Sequence, residues 1–133
     1  MCIRDRNISR DIQVIGVQSE ASPAMYESLR KGEIVKVKLE HSIAEGLHGN
    51  IEDGSITFKF VKEHVDEIFL VSENEIKKAI RDLYELEGIL IEGAAGVTLA
   101  ALEKYKTYFK GRNMCLVLSG GNIDPQHLIE ILS

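Results

Sequence analysis

The sequence predicts an α/β fold, with an open and mainly parallel sheet and flanking helices. Short apolar runs rich in β-branched residues alternate along the chain with stretches of helical period. Glycine, proline or a helix-capping residue separates most of these runs, as expected where strands and helices follow one another. With 133 residues, the chain is long enough for one such domain with its own core.

Five segments have the composition of strands. Continuous apolar runs predict buried strands, because helices cover both faces of a parallel sheet. One segment alternates apolar residues with Lys36 and Lys38 and therefore predicts a half-exposed strand. Cys115 lies in the last segment and is expected to be a small buried hydrophobe. The five segments are residues 11–18, 33–40, 66–72, 89–91 and 113–119.

Helices are expected between these strands. Ser22 is expected to cap the first helix, with Pro23 at its first position. Ser72 and Glu75 form the pattern of a capping box in front of a long amphipathic stretch. Residues 55–65 fit a strand as well as a helix, so their periodicity leaves the element type open.

Composition excludes some classes of partner. Asp and Glu number 21 against 16 Lys and Arg, a formal net charge of −5. This balance is not typical of proteins whose main partner is nucleic acid or an anionic membrane. No apolar run approaches the ~18 residues of a membrane span and no signal-peptide pattern occurs, so the cytoplasm is expected. Cys2 and Cys115 indicate neither a disulfide framework nor a metal cluster.

The first ten residues fit no periodic pattern. They are either a segment foreign to the domain or a disordered native tail, and their composition does not decide between the two. The domain is therefore expected to span residues 11–133.

Three stretches carry polar residues where open parallel sheets bind ligands, at strand ends or in a long glycine-rich loop. Residues 119–122, Ser-Gly-Gly-Asn, form either a plain turn or a backbone surface on which a ligand lies flat. Glu92 either favours the start of the following helix or contacts a cofactor. Glu45, beside Gly46 in the loop 41–54, is either a solvated acid or part of a functional loop.

Five stretches, in order along the chain, resemble the C-terminal part of the catalytic domain of threonine dehydratases (threonine ammonia-lyases). These enzymes belong to the fold-type II, tryptophan-synthase-β-like group that depends on pyridoxal 5'-phosphate. The likeness runs from about residue 11 to the end of the chain. The stretches are "VIGVQSEASPAMYESLRKG", "SIAEGLHGN", "GSITFKFVKEHVDEIFLVSENEI", "LIEGAAGVTLAAL" and "LVLSGGNIDP".

The resemblance implies that pyridoxal 5'-phosphate is the cofactor. It implies that Ser119 hydrogen-bonds the pyridine nitrogen of the cofactor. Gly120 and Gly121 then let the ring approach, and Asn122 helps to hold the turn.

The resemblance also places Glu45 and Gly46 near the ring and the substrate, and Glu92 close to the cofactor site. A serine is a neutral partner for the ring nitrogen, which makes the ring a milder electron sink and favours β-elimination over transamination. The implied reaction converts L-threonine, or serine, to a 2-oxo acid and ammonia. The implied full-length protein is a homo-oligomer.

Two parts of the family pattern have no match in the 133 residues: the Schiff-base lysine in a segment like S-x-K-x-R-G, and the glycine-run phosphate cup. The chain is therefore expected to be a fragment without a catalytic residue of its own and inactive alone. Gln18 and Ala24 stand where some relatives carry cation-binding acids, so no metal is expected by that route. Two alternatives stay open: a non-catalytic ligand-binding or dimerisation module derived from the fold, and an unrelated nucleotide binder, although no G-x-G-x-x-G follows the first strand.

Overall fold

The computed structural model describes residues 8–9 and 11–133, so the predicted tail lies almost wholly outside the described residues. Two strands are flanked by helices. None of the helices in the described part of the chain is long and apolar enough to cross a membrane. In chain order the elements are β1 (Ile15–Ser19), α1 (Ala24–Lys31), a 3₁₀ turn (Glu45–Leu47), α2 (Ile56–His64), β2 (Glu67–Val71), α3 (Glu73–Glu87), α4 (Gly93–Lys104), α5 (Lys106–Phe109) and α6 (Pro125–Leu132).

The two strands pair in parallel. Ile15 lies opposite Glu67 at one end of the pair, and Ser19 lies opposite Val71 at the other. Because the strands are parallel, both of their carboxyl ends lie at the same edge of the sheet. The predicted α/β fold with a parallel sheet and flanking helices is confirmed.

Three further segments predicted as strands have no regular secondary structure and form no ladder within the described residues; they are residues 33–40, 89–91 and 113–119. In the first of them, a side chain takes the place of a neighbouring strand. Asn50 Oδ1 accepts a hydrogen bond from the N–H of Val37 at 2.8 Å, and Asn50 Nδ2 donates one to the carbonyl oxygen of Val37 at 3.1 Å. The strand prediction is wrong here, and at Val37 an amide side chain satisfies the backbone as a ladder would.

In the last of these segments, the apolar side chains are exposed. Met114 is 43% exposed and Val117 is 42% exposed. Cys115 is exposed as well, so the expectation that it is a buried hydrophobe is wrong. An apolar run indicates what a segment can bury, and it does not reveal whether another element covers it.

The capping box predicted at Ser72 is present and begins α3. The Ser72 hydroxyl oxygen accepts a hydrogen bond from the N–H of Glu75, whose carboxylate accepts one from the N–H of Ser72 at 2.7 Å. Gly88, with a φ of 67°, ends the helix. Ile76 and Ile80 are fully buried on one face, and the burial of each side chain adds about 1.5–3 kcal/mol to the free energy of unfolding.

Helix α4 packs closely on α3 because its contact face is made of small residues. A methyl group placed on Gly96 would lie 2.8 Å from Cγ1 of Ile80 and 3.2 Å from Cγ2 of Ile76. Ala100, one helical turn after Gly96, is buried as well. The two helix backbones can therefore approach without large side chains between them.

The start of α1 differs from the prediction. Its N-cap is Pro23 and has no side-chain cap, while the Ser22 hydroxyl oxygen accepts a hydrogen bond from the N–H of Gly49 at 3.0 Å. The amide oxygen of Gln18, at the end of β1, accepts a hydrogen bond from the N–H of Tyr26 at 2.9 Å. Ser22 is thus wrong as the cap, because a residue of the preceding strand satisfies the helix start.

An ion-pair cluster joins the end of β1 to α3 and α4. Lys104 Nζ lies 2.9 Å from a carboxylate oxygen of Glu20 and 2.9 Å from one of Glu75. Burial raises the pKa of Glu75, but hydrogen bonds from Ser72 and Lys104 outweigh burial and leave this pKa below its ordinary value of 4.5. Glu75 therefore stabilises the folded state mainly as a carboxylate.

We expect Glu75→Gln to cost stability above about pH 4.5 and less below it. Because the folded-state pKa of Glu75 is lowered, its contribution is complete above the unfolded value and is lost as the pH falls through the folded value. Urea unfolding over a pH series should show the difference between the two proteins shrink as the pH falls. Glu85→Gln, on the same helix, is the control, and a Glu75→Gln difference that stays constant down to about pH 3 would contradict the prediction.

Candidate functional site

The loop in front of the 3₁₀ turn lies beyond the carboxyl ends of β1 and β2, the edge at which parallel sheets bind ligands. Glu73, the first residue of α3, holds it there. The Glu73 carboxylate accepts hydrogen bonds from the Ser42 hydroxyl and the N–H of Ile43, both at 2.8 Å. It also accepts one from the Ser19 hydroxyl, at the end of β1, at 2.5 Å. One side chain thus ties the loop to a strand and a helix.

The start of α4 lies against the other side of this loop. A methyl group on Gly93 would lie 2.0 Å from the carbonyl oxygen of Ile43 and 2.9 Å from the nitrogen of Ala44. A methyl group on Gly46 would lie 3.2 Å from Cβ of Ala94. The 3₁₀ turn therefore packs directly on the first turn of α4, and the residue at position 93 has no room for a side chain.

Glu92, the N-cap of α4, meets the turn 119–122. Its N–H donates a hydrogen bond to the carbonyl oxygen of Gly120 at 3.3 Å. A methyl group on Gly120 would lie 2.6 Å from Cδ of Glu92, and Gly120 has a φ of 102°, where glycine is favoured. A methyl group on Gly46 would lie 3.9 Å from Oε1 of Glu92. The structure therefore brings Gly46, Glu92 and Gly120 together around one carboxylate.

The other predicted site residues flank these three and are exposed: Glu45, Ser119, Gly121 and Asn122. A methyl group on Gly121 would lie 3.0 Å from the carbonyl oxygen of Leu90. The Ser119 hydroxyl makes no hydrogen bond with any residue that the structure describes. We call the seven predicted residues the rim: Glu45, Gly46, Glu92, Ser119, Gly120, Gly121 and Asn122.

Acidic residues near the sheet edge do not gather into a metal centre. Within residues 8–9 and 11–133, no group of three or more His, Cys, Asp or Glu side chains lies close enough to hold a metal ion. Gln18 uses its amide oxygen to accept a hydrogen bond from the first turn of α1, and its amide nitrogen donates to the carbonyl oxygen of Ser22 at 3.4 Å.

Sequence reasoning missed Ser42, and it missed that Glu73 and Gly93 hold this loop. Glu73 and Gly93 carry weak signals: Glu73 follows the capping serine directly, where an acid is common for the helix dipole alone. Gly93 follows a predicted strand and precedes a helix, where glycine is also ordinary. Neither pattern reveals that both residues fix one loop, because that depends on packing between elements distant in sequence.

A parallel α/β domain with a glycine-lined rim beyond its strand ends is a ligand-binding domain of the kind that α/β enzymes use. The family model described as pyridoxal-phosphate dependent enzyme matches residues 3–120. The chain belongs to this family, whose members depend on pyridoxal phosphate.

Curated relatives and solved structures support the assignment. The chain is 38% identical to the L-threonine ammonia-lyase of Thermotoga maritima over 96% of the chain and 31% of that protein. It is 43% identical to that of Geobacter sulfurreducens over 91% of the chain and 30% of that protein. The crystal structure of serine racemase from Dictyostelium discoideum is similar with a TM-score of 0.81 and 34% identity, covering 92% of this chain and 39% of that one. The resemblance to threonine dehydratases is confirmed, and the chain spans about a third of the length of these relatives.

We expect Gly93→Ala to destabilise the fold by about 2–3 kcal/mol, since the added methyl group overlaps the carbonyl oxygen of Ile43. Urea unfolding measures the loss, and amide NMR signals of Ile43 and Ala44 should move. Gly54→Ala is the control: Gly54 has a φ of 77° and nothing within 4 Å of an added methyl group. That variant should lose about 1 kcal/mol through backbone strain and leave both signals in place. Equal effects of the two variants on these signals would refute the contact.

Proposed function

We propose that the chain forms the ring-facing rim of the pyridoxal-phosphate site in a threonine/serine ammonia-lyase, which converts L-threonine to 2-oxobutanoate and ammonia. One observation carries the proposal. The Gly120 backbone lies against the Glu92 carboxylate, and the neighbouring Ser119 hydroxyl is exposed and unbonded to the described residues. The two relatives named L-threonine ammonia-lyase, which match over nine-tenths of the chain or more, support the choice of reaction.

The rim fits the flat face and the nitrogen edge of a pyridine ring. Two consecutive glycines present backbone without side chains, and the Ser119 hydroxyl can donate a hydrogen bond to a ring nitrogen. The 133 residues contain no S-x-K-x-R-G segment and no glycine run that would cradle a phosphate. We therefore propose that this chain needs the rest of a family catalytic domain for activity and is inactive alone.

Bound pyridoxal phosphate withdraws electrons from the α-carbon of an attached amino acid. In our proposal the Ser119 hydroxyl donates its hydrogen to the ring nitrogen and leaves that nitrogen without a proton of its own. A carboxylate at this position would instead stabilise a protonated, positively charged nitrogen. Ser119 thus limits the pull on the α-carbon, which favours departure of the β-hydroxyl.

The two acids of the rim are proposed to contact different partners. Glu92 makes no side-chain hydrogen bond or ion pair with the described residues, so its oxygens can accept hydrogen bonds from a bound group. Its position between Gly46 and Gly120 favours a contact with the ring. Glu45 is exposed on the 3₁₀ turn, and we place it on the substrate side. Asn122 is proposed to help hold the turn that presents Ser119.

Racemisation of serine is the second candidate function, favoured by the structural match to the Dictyostelium racemase. Both reactions act on small hydroxy amino acids and both remove the α-proton.

We propose threonine or serine as the substrate, a homo-oligomer for the full-length protein and the cytoplasm as its location. Nucleic acid and membrane are not proposed as partners, because the formal net charge is −5.

A chimera tests the proposed reaction. The stretch of the Thermotoga maritima enzyme that aligns with this chain is replaced by the chain, which leaves that enzyme's remaining two-thirds in place. With pyridoxal phosphate bound, the chimera should release 2-oxobutanoate from L-threonine, and the isolated chain should release none. Visible absorbance of the bound cofactor reports correct assembly, and D-serine formed from L-serine is measured in parallel.

The outcomes separate the candidates. An assembled chimera that forms D-serine without 2-oxobutanoate would favour the racemase. An assembled chimera without either product would refute both. Ser119→Ala in the active chimera removes one hydrogen bond and should lower kcat/KM for threonine about fivefold.

Ser119→Asp in the same chimera tests the neutral partner of the ring nitrogen. The added carboxylate should keep a proton on that nitrogen and change the ratio of elimination to side products, since the pull on the α-carbon increases. Product ratios at several pH values measure the change, and Ser119→Ala serves as the uncharged control. A product ratio that is the same in all three proteins would count against the assigned role of Ser119.

A further inference from the structure

Glu73 is absent from the predicted site, yet its carboxylate lies at the centre of a hydrogen-bond network at the carboxyl edge of the sheet. Oε1 accepts from the Ser19 hydroxyl at 2.5 Å and from the Ser42 hydroxyl at 2.8 Å. Oε2 accepts from the N–H of Ile43 at 2.8 Å. Three donors from a strand end and a loop thus converge on one side chain of α3.

The two serines of the network are fixed as well. The Ser19 hydroxyl oxygen accepts from the N–H of Ala21 at 3.0 Å, and the Ser42 hydroxyl oxygen accepts from the N–H of Ala44 at 3.0 Å. Ser19 is only 2% exposed and Ser42 only 5%. Water is therefore a poor substitute for the carboxylate, and loss of this acceptor leaves buried donors unsatisfied.

The network acts on the segment that leads into the rim. Ile43 and Ala44 are buried and directly precede Glu45. The N–H of Leu47 donates to the carbonyl oxygen of Ala44 at 2.9 Å, which continues the fixed backbone through the 3₁₀ turn. The segment is thus anchored twice, by hydrogen bonds to Glu73 and by the close contact with Gly93.

We infer that Glu73 is a positioning residue: its carboxylate holds residues 42–44 against the ends of β1 and α3 and thereby sets the place of Glu45 and Gly46 in the rim. The hydrogen bonds carry this inference for the loop. Its consequence for substrate binding rests on the proposed function.

A carboxylate is required because it presents only acceptors to three donors. In Glu73→Gln, an amide turned one way points its N–H₂ at the N–H of Ile43, a donor facing a donor. Turned the other way, it faces the hydroxyls of Ser19 and Ser42, which then lose the oxygen that accepts their hydrogens. Either orientation breaks part of the network while the size of the side chain stays the same.

Residue-resolved hydrogen exchange of the chain tests the loop anchor without any cofactor. Glu73→Gln should speed exchange of the amides of Ile43, Ala44, Leu47 and His48 about ten- to hundredfold. Glu75→Gln is the matched control, since Glu75 lies in the same first turn of α3 and bonds Ser72 and Lys104 instead of the loop. In that control, exchange at the four loop amides should change no more than exchange in α3.

Two results would overturn the loop anchor: unchanged exchange at the four amides, or a rise no larger than that across α3. If Glu73→Gln does not fold, Ser42→Ala decides the matter. It removes one donor of the carboxylate and the acceptor of the Ala44 N–H, so the Ala44 amide should exchange about tenfold faster than in wild type. No change at Ala44 would refute the inference by itself.

The threonine-converting chimera tests the consequence for the rim. Glu73→Gln should raise the KM for threonine roughly three- to tenfold with cofactor absorbance unchanged, because the displaced segment carries Glu45 and Gly46 while Ser119 stays in place. Glu75→Gln should leave this KM unaltered. Faster loop exchange with an unchanged KM would overturn the positioning role. A chimera without activity would refute the proposed function alone, since the exchange experiment contains no cofactor.

Discussion

Gly93 and the carbonyl oxygen of Ile43 approach so closely that an added methyl group would lie 2.0 Å from that oxygen. This contact determines where the first turn of α4 meets the loop that carries Glu45 and Gly46. Because Glu92 directly precedes Gly93 and bonds the carbonyl oxygen of Gly120, the same turn of α4 also locates residues 119–122. The rim is therefore assembled around the start of one helix, which joins two segments that are distant in sequence.

Two glutamates at this edge differ in how their charge is used. Glu73 accepts three hydrogen bonds from the protein, so its carboxylate is occupied in holding structure. Glu92 has no such partner among the described residues, and its carboxylate faces the backbone of Gly120. A carboxylate whose acceptor positions are filled stabilises the fold, and one whose positions are open can receive a ligand.

Features that depend on residues close in sequence were predicted correctly. Features that depend on contacts between residues distant in sequence were not. The capping box of Ser72 and Glu75 and the buried face of α3 follow from spacing alone, and both are present. The strands at 33–40, 89–91 and 113–119 were predicted from composition, but a ladder needs a neighbouring strand that composition does not specify. The rim residues came from a resemblance in sequence, and the structure brings Gly46, Glu92 and Gly120 together. Glu73 was not predicted as a site residue because an acid in the first turn of a helix is ordinary. The three donors that it binds come from β1 and the loop, which are distant in sequence.

Relatives named L-threonine ammonia-lyase and serine racemase match the same stretch of chain, so both reactions stand among the proposed functions. Both reactions begin with removal of the α-proton and separate afterwards, when either the β-hydroxyl leaves or a proton returns to the opposite face. In the proposed site, the hydroxyl of Ser119 meets one edge of the ring and the backbone of Gly120 meets one surface, so these two residues favour neither outcome. Discrimination must come from groups that reach the substrate, and within the rim Glu45 is the acid that we place on that side. In this proposal, the anchoring of its segment by Glu73 therefore bears on which product forms as well as on how tightly the substrate binds.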